Sequence, residues 1–132
     1  MNAVELEKFS GAWPGVTVAT SREDDLVLSV AGRVFTTLCL RGPERGRLSF
    51  AVEPEHFVGL TAQAGVVPAH YPARPFWITL TEPERFARAA IETFVRRSYT
   101  LVRTGLSKRQ QAALVTLEST APKRRVKRKR NI

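Results

Sequence analysis

Apolar residues near the start of the chain recur at Val4, Leu6 and Phe9, close to helical spacing, before Gly11 and the turn pair Pro14-Gly15. That pattern predicts a short helix over Ala3 to Ser10 and a break after it. The period then changes from helical to alternating. Val16 to Thr20 is rich in β-branched residues, and Leu26 to Val30 follows the polar turn Arg22-Glu-Asp-Asp25. Ala31-Gly32 is a tight-turn signal before Arg33 to Leu40, and Gly42-Pro-Glu-Arg-Gly46 is a longer turn before Arg47 to Val52. Four β-rich runs joined by short turns predict an antiparallel meander.

After Val52 the pattern becomes helical again. Glu53-Pro54-Glu55 places proline and acid at a helix start, Phe57, Leu60 and Ala64 follow, and Gly65 ends it. Val66 to Arg74 reads as a loop punctuated by Pro68 and Pro72, and Phe76 to Leu80 as a fifth strand, where alternation sends one of Phe76 and Trp77 into the core. From Thr81, Thr-Glu-Pro-Glu opens the longest helix, which runs to about Thr104. At 100° per residue, Ala87, Ala90, Ile91, Phe94, Ser98, Leu101 and Val102 share its core face; Arg85, Arg88, Glu92, Arg96, Tyr99 and Arg103 lie opposite. Gly105 breaks this helix, and Ser107 caps a last one whose Ala112, Ala113, Val115 and Leu117 are its expected docking residues. No internal repeat is present.

Charge alters this picture at one end. Of the 21 basic residues, seven (Lys123, Arg124, Arg125, Lys127, Arg128, Lys129 and Arg130) lie in the last ten positions with no acid among them. The other 14 face 12 acids, so residues 1–122 carry about +2 of the formal +9. Residues 1–120 are expected to form one α+β domain and residues 121–132 a basic tail, disordered when free because it has little apolar surface to offset ordering. A cationic arm on a near-neutral body points to a polyanionic partner.

Several function classes lose support at this level. GxxxxGK[ST], GxSxG, HExxH and paired-cysteine metal spacings are all absent, so no enzyme activity, cofactor or metal is expected. The acidic run Glu23-Asp24-Asp25 reads as a solvated turn. The single cysteine, Cys39, lies in an apolar run and is expected to be a small buried hydrophobe in a reducing compartment. No secretory signal and no run of eighteen apolar residues occurs, which points to a cytoplasmic protein without a membrane span. His70 to Trp77 joins imidazole, phenol, guanidinium and indole in one stretch, suited to stacking on bases or holding phosphate. Arg85, Arg88, Arg96 and Arg103 extend along about 27 Å of helix, long enough to follow a phosphate backbone.

The order of motifs also resembles a known family. Trp13-Pro-Gly-Val16, Ala31-Gly-Arg-Val-Phe35, Leu48-Ser-Phe50 before Pro54, Gly65-Val-Val-Pro-Ala-His-Tyr71, Trp77-Ile-Thr79 and Ser98-Tyr-Thr-Leu-Val102 together look like the MmcQ/YjbR family, over about residues 4–110. The resemblance implies a single α+β domain with a curved antiparallel sheet of about five strands and packed helices, similar to the CyaY-like architecture. It also implies the DNA-binding label, with a so-called double-wing arrangement, that bacterial members commonly carry. The first helix is shorter than the family's, and the basic tail extends beyond the similar region.

Pattern, charge and resemblance converge on a non-enzymatic protein that binds nucleic acid, duplex DNA with low sequence specificity. The expected contacts are Arg33, Arg41, Arg45 and Arg47 of the strand turns, Arg74, Arg85, Arg88 and Arg96, and the seven tail cations. The alternative expectation is a protein-interaction adaptor that uses the sheet face or the His70 to Trp77 loop.

Overall fold

A computed structural model describes residues 1–69 and 76–120 of the chain. Helix α1 (Ala3–Ser10) opens with a capping box: the Glu5 N–H donates to the Asn2 side chain at 2.8 Å, and the Asn2 N–H donates to the Glu5 carboxylate at 2.9 Å. Strands β1 (Val16–Thr20), β2 (Asp25–Val30), β3 (Arg33–Cys39) and β4 (Leu48–Ala51) form the expected meander. The β2–β3 turn is tight because Ala31 and Gly32 both adopt positive φ, 49° and 83°, the conformation that matches strand twist in a two-residue hairpin.

Helix α2 (Pro54–Thr61), β5 (Val66–Pro68), β6 (Trp77–Leu80), a 3-10 turn (Pro83–Arg85), α3 (Arg88–Thr104) and α4 (Lys108–Thr120) follow. All neighbouring strands are antiparallel, in the order β1-β2-β3-β4-β6-β5. The sheet thus has six strands rather than about five. The extra one, β5, falls in the segment read as a loop; three residues ending in Pro68 are too short to show alternation, and proline is tolerated at a sheet edge.

One bulge shapes the centre of the fold. Pairing of β2 with β3 shifts from Leu28↔Thr36 to Ser29↔Val34, so Phe35 is the additional residue, and its side chain is fully buried. Phe35 lies edge-on to Tyr99, at 5.4 Å between ring centroids, beside Trp13. Buried Ser98 fastens α3 to the sheet at this point by donating to the Phe35 carbonyl and accepting the Ala51 N–H at 2.9 Å. The rest of the core is made by Leu28, Leu48, Phe50, Ile78 and Leu80 from the sheet against Leu6, Ile91 and Val95 from the helices.

Four local expectations need correction. The long helix begins at Arg88, not Thr81, because Phe86 and Ala87 are extended and Phe86 turns onto Phe94 at 6.4 Å. Tyr99, assigned to the polar face, is buried, and its hydroxyl donates to the Pro14 carbonyl at 2.7 Å. Helix α4 docks through Leu114, while Ala112, Ala113, Val115 and Leu117 are exposed. Cys39 is only half-buried, and its thiol donates to the Arg41 carbonyl. As alternation required, one member of the Phe76-Trp77 pair is core: Trp77 is buried and Phe76 exposed.

Candidate nucleic-acid interface

Most of the described arginines fall into three places. Arg33 is exposed at the start of β3, whereas Arg41, Arg45 and Arg47 follow the end of that strand, so the two groups sit at opposite ends of the sheet, about 20 Å apart for seven residues. Arg47 is 3.6 Å from Glu44. The β1–β2 turn is at the same end, with the Leu40 N–H donating to the Asp24 carbonyl at 2.9 Å. Burial, reinforced by the Glu23, Glu44 and Asp24 carboxylates, pushes the Asp25 carboxyl above the ordinary range. Local acids therefore offset much of the positive potential there, while Arg33, Arg41 and Arg45 make no ion pair among the described residues.

The third place is the long helix, where the arginines are already engaged. Arg85 bonds Glu82 at 3.1 Å, just before α3. Arg88 reaches Glu5 at 3.1 Å and Glu92 at 3.3 Å. The Arg96 guanidinium sits over Trp13 at 4.7 Å and Phe9 at 5.5 Å, a cation–π contact. Arg103 bonds Glu118 at 2.6 Å and the Tyr99 hydroxyl at 3.2 Å, tying α4 to α3. Arg74 and the seven tail cations lie outside the described residues, as do His70 and Tyr71.

Sequence reasoning passed over a cleft between α2 and α3. It has a volume of about 380 Å³ and an apolar lining that includes Val52, Leu60 and Phe94. Glu53 governs its rim: one carboxylate oxygen accepts from Arg97 at 2.9 and 3.3 Å, and the other lies 3.3 Å from His56 Nδ1. Burial raises the Glu53 pKa, but its own backbone N–H and the Arg97 and His56 bonds outweigh that and hold it below the ordinary range. With both oxygens engaged, Glu53 is a structural counter-ion rather than a poised base. Glu53 and Arg97 are 44 positions apart, and no local signal couples them.

No group of three or more His, Cys, Asp or Glu side chains suited to a metal occurs among the described residues. No described helix is long and apolar enough to cross a membrane.

The YjbR family model matches residues 11–101 of the chain. The sequence matches none of the curated proteins. Among solved structures, the chain is similar to Deinococcus radiodurans protein DR2400, of the DUF419 domain family, at 20% identity and a TM-score of 0.75, over 86% of this chain and 88% of that one. It is also similar to a Pseudomonas syringae protein at 19% identity and a TM-score of 0.60, over 76% of this chain and 98% of that one. At these identities the two likenesses establish the fold.

Proposed function

The chain belongs to the YjbR family, and from that footing we propose that it is a non-enzymatic nucleic-acid-binding protein whose ligand is duplex DNA, bound with little sequence preference. The observation that carries this reading is the run of seven cations between Lys123 and Arg130 without an intervening acid. Their neutralisation of phosphates releases condensed counterions, which supplies affinity without reading bases. Arg33, Arg41 and Arg45, exposed and without ion pairs among the described residues, add orienting contacts from the sheet turns.

Duplex affinity titrated against salt tests the reading. Engagement of all seven tail charges gives a slope of about −6 in log K against log salt, from roughly −0.9 per phosphate contact. Affinity that does not change with salt, or no binding at about 50 mM salt, overturns it.

A second reading, a protein-interaction adaptor, rests on a different surface. Val58 on α2 is 76% exposed, and exposed Phe76 stands edge-on to Phe57 at 5.6 Å beside the α2 cleft. Salt separates the two readings: apolar contacts persist under conditions that strip a polycation from phosphate.

A further inference from the structure

The two edges of the sheet are unlike. At one edge, β5 has three residues and ends in Pro68, which has no N–H to offer a newcomer. At the other, β1 is Val-Thr-Val-Ala-Thr, with no charge, proline or bulge, and four of its five residues are β-branched. Short length and proline are devices that prevent edge-to-edge pairing; β1 has neither.

Hydrogen-bond accounting shows what this edge presents. The Ala31 N–H donates to the Gly15 carbonyl and the Ser21 N–H to the Asp25 carbonyl, so with this register the odd-numbered positions 15 to 21 bond inward to β2. The backbone groups of Val16, Val18 and Thr20 therefore point away from the sheet. The Val16 N–H is taken by the Trp13 carbonyl at 3.1 Å. Left outward are the N–H groups of Val18 and Thr20 and the carbonyls of Val16, Val18 and Thr20.

We propose that β1 is a homodimerisation edge, pairing antiparallel with β1 of a second copy about a two-fold axis at Val18. All four remaining donors of the two copies find acceptors in that arrangement. Val18 exchanges two hydrogen bonds with its counterpart, and each Thr20 N–H meets the Val16 carbonyl of the other copy, giving four bonds. The Val16 N–H, which would face the Thr20 carbonyl of the other copy, is already given to Trp13, so that carbonyl is the one outward group left without a donor. The axis also places the charged turn Arg22 to Asp24 of one copy beside the uncharged Trp13-Pro14-Gly15 of the other, so like charges do not meet across the seam. On the outer face, exposed Thr17 lies opposite exposed Ala19 of the other copy.

The Thr17–Ala19 pairing gives the test. An interface built on one strand pair is small, so self-association is measured by sedimentation equilibrium from about 10 µM to about 1 mM at moderate salt. The full chain is expected to shift from monomer to dimer over that range. Thr17→Lys with Ala19→Lys sets two like-charged pairs across the seam and weakens dimerisation by about tenfold. Thr17→Lys with Ala19→Glu makes those pairs attractive and restores association to within about threefold of the parent. Circular dichroism establishes that each variant is folded, and exposure of both positions makes that the expected result. A monomer at every concentration overturns the proposal, as does a dimer indifferent to the two lysines or a folded charge-swapped variant that fails to recover.

Discussion

The long helix and the tail are both rich in arginine, yet the helix has acids brought to it by the fold and the tail has none in its own sequence. All four arginines of α3 have a partner: Arg88 has Glu5 and Glu92, Arg96 lies over Trp13 and Phe9, Arg97 bonds Glu53, and Arg103 bonds Glu118. In the tail, seven cations follow one another with no acid among them, and the nearest acid in sequence, Glu118, is the one Arg103 occupies. A charge already paired must give up that partner before it can neutralise a phosphate. An unpaired one gives up only water and counterions. The lesson is that compensation, rather than the number of arginines, decides which charges are available to the polyanion proposed as the ligand.

The largest break in this comparison comes from ending the chain at Thr120. If the tail supplies the contacts, its removal lowers duplex affinity at about 50 mM salt by about 10³-fold and flattens the salt slope from about −6 toward zero. Fluorescence anisotropy with a labelled duplex reads both quantities. A truncated chain that kept a steep slope would transfer the interface to Arg33, Arg41 and Arg45 and reverse the roles of body and tail.

A second perturbation acts on the body alone. Ser98 satisfies the Phe35 carbonyl and the Ala51 N–H, both in the bulged centre of the fold, so Ser98→Ala leaves two buried backbone groups without that partner. At about 1–3 kcal/mol for an orphaned buried group, the expected loss is about 2–4 kcal/mol, measured by urea unfolding. Duplex affinity, measured where the variant remains folded, should stay within about twofold, since no tail charge is altered. A loss below about 0.5 kcal/mol would mean that the helix–sheet bridge matters little to stability.

The contrast between body and tail also marks what was legible in the sequence. The strands of the meander were readable almost to the residue because alternation and glycine-bearing turns are local signals. β5 was not, because three residues ending in proline carry no period. The phase of α4 failed for a related reason: alanine and valine are scattered around that helix, and Leu114 is selected as the anchor only because Gly15 and Val30 lie where it packs. Tyr99 looked polar by helical angle, whereas its burial follows from Trp13 and Phe35 at the bulge. The candidate interface was less legible still. Spacing on a helix shows which arginines share a face, but Glu5, 83 positions from Arg88, and Glu53, 44 from Arg97, are brought to them only by the completed fold.

Arg88 gives the smallest effect and the finest test of that distinction. Its guanidinium contributes to holding the Glu5 carboxyl below the ordinary range, although the foremost cause is the backbone hydrogen bond from Asn2, which outweighs the opposing cost of desolvation. Arg88→Met should therefore raise the Glu5 pKa part of the way toward its ordinary value, as followed by NMR titration, because the Asn2 contribution persists. The sign for stability follows from the lowered pKa. A carboxyl depressed in the folded state contributes stability above its unfolded value, near 4.5, and loses it as pH falls through the folded value. The parent should consequently show an acid-side stability loss that is smaller in the variant, while the two converge once Glu5 is protonated in both states. Duplex affinity at neutral pH should change by less than about twofold, because the charge removed was already shared between Glu5 and Glu92. A larger loss, with the salt slope reduced by about one unit, would show that Arg88 leaves its carboxylates for phosphate and that paired charge on the helix remains available to DNA.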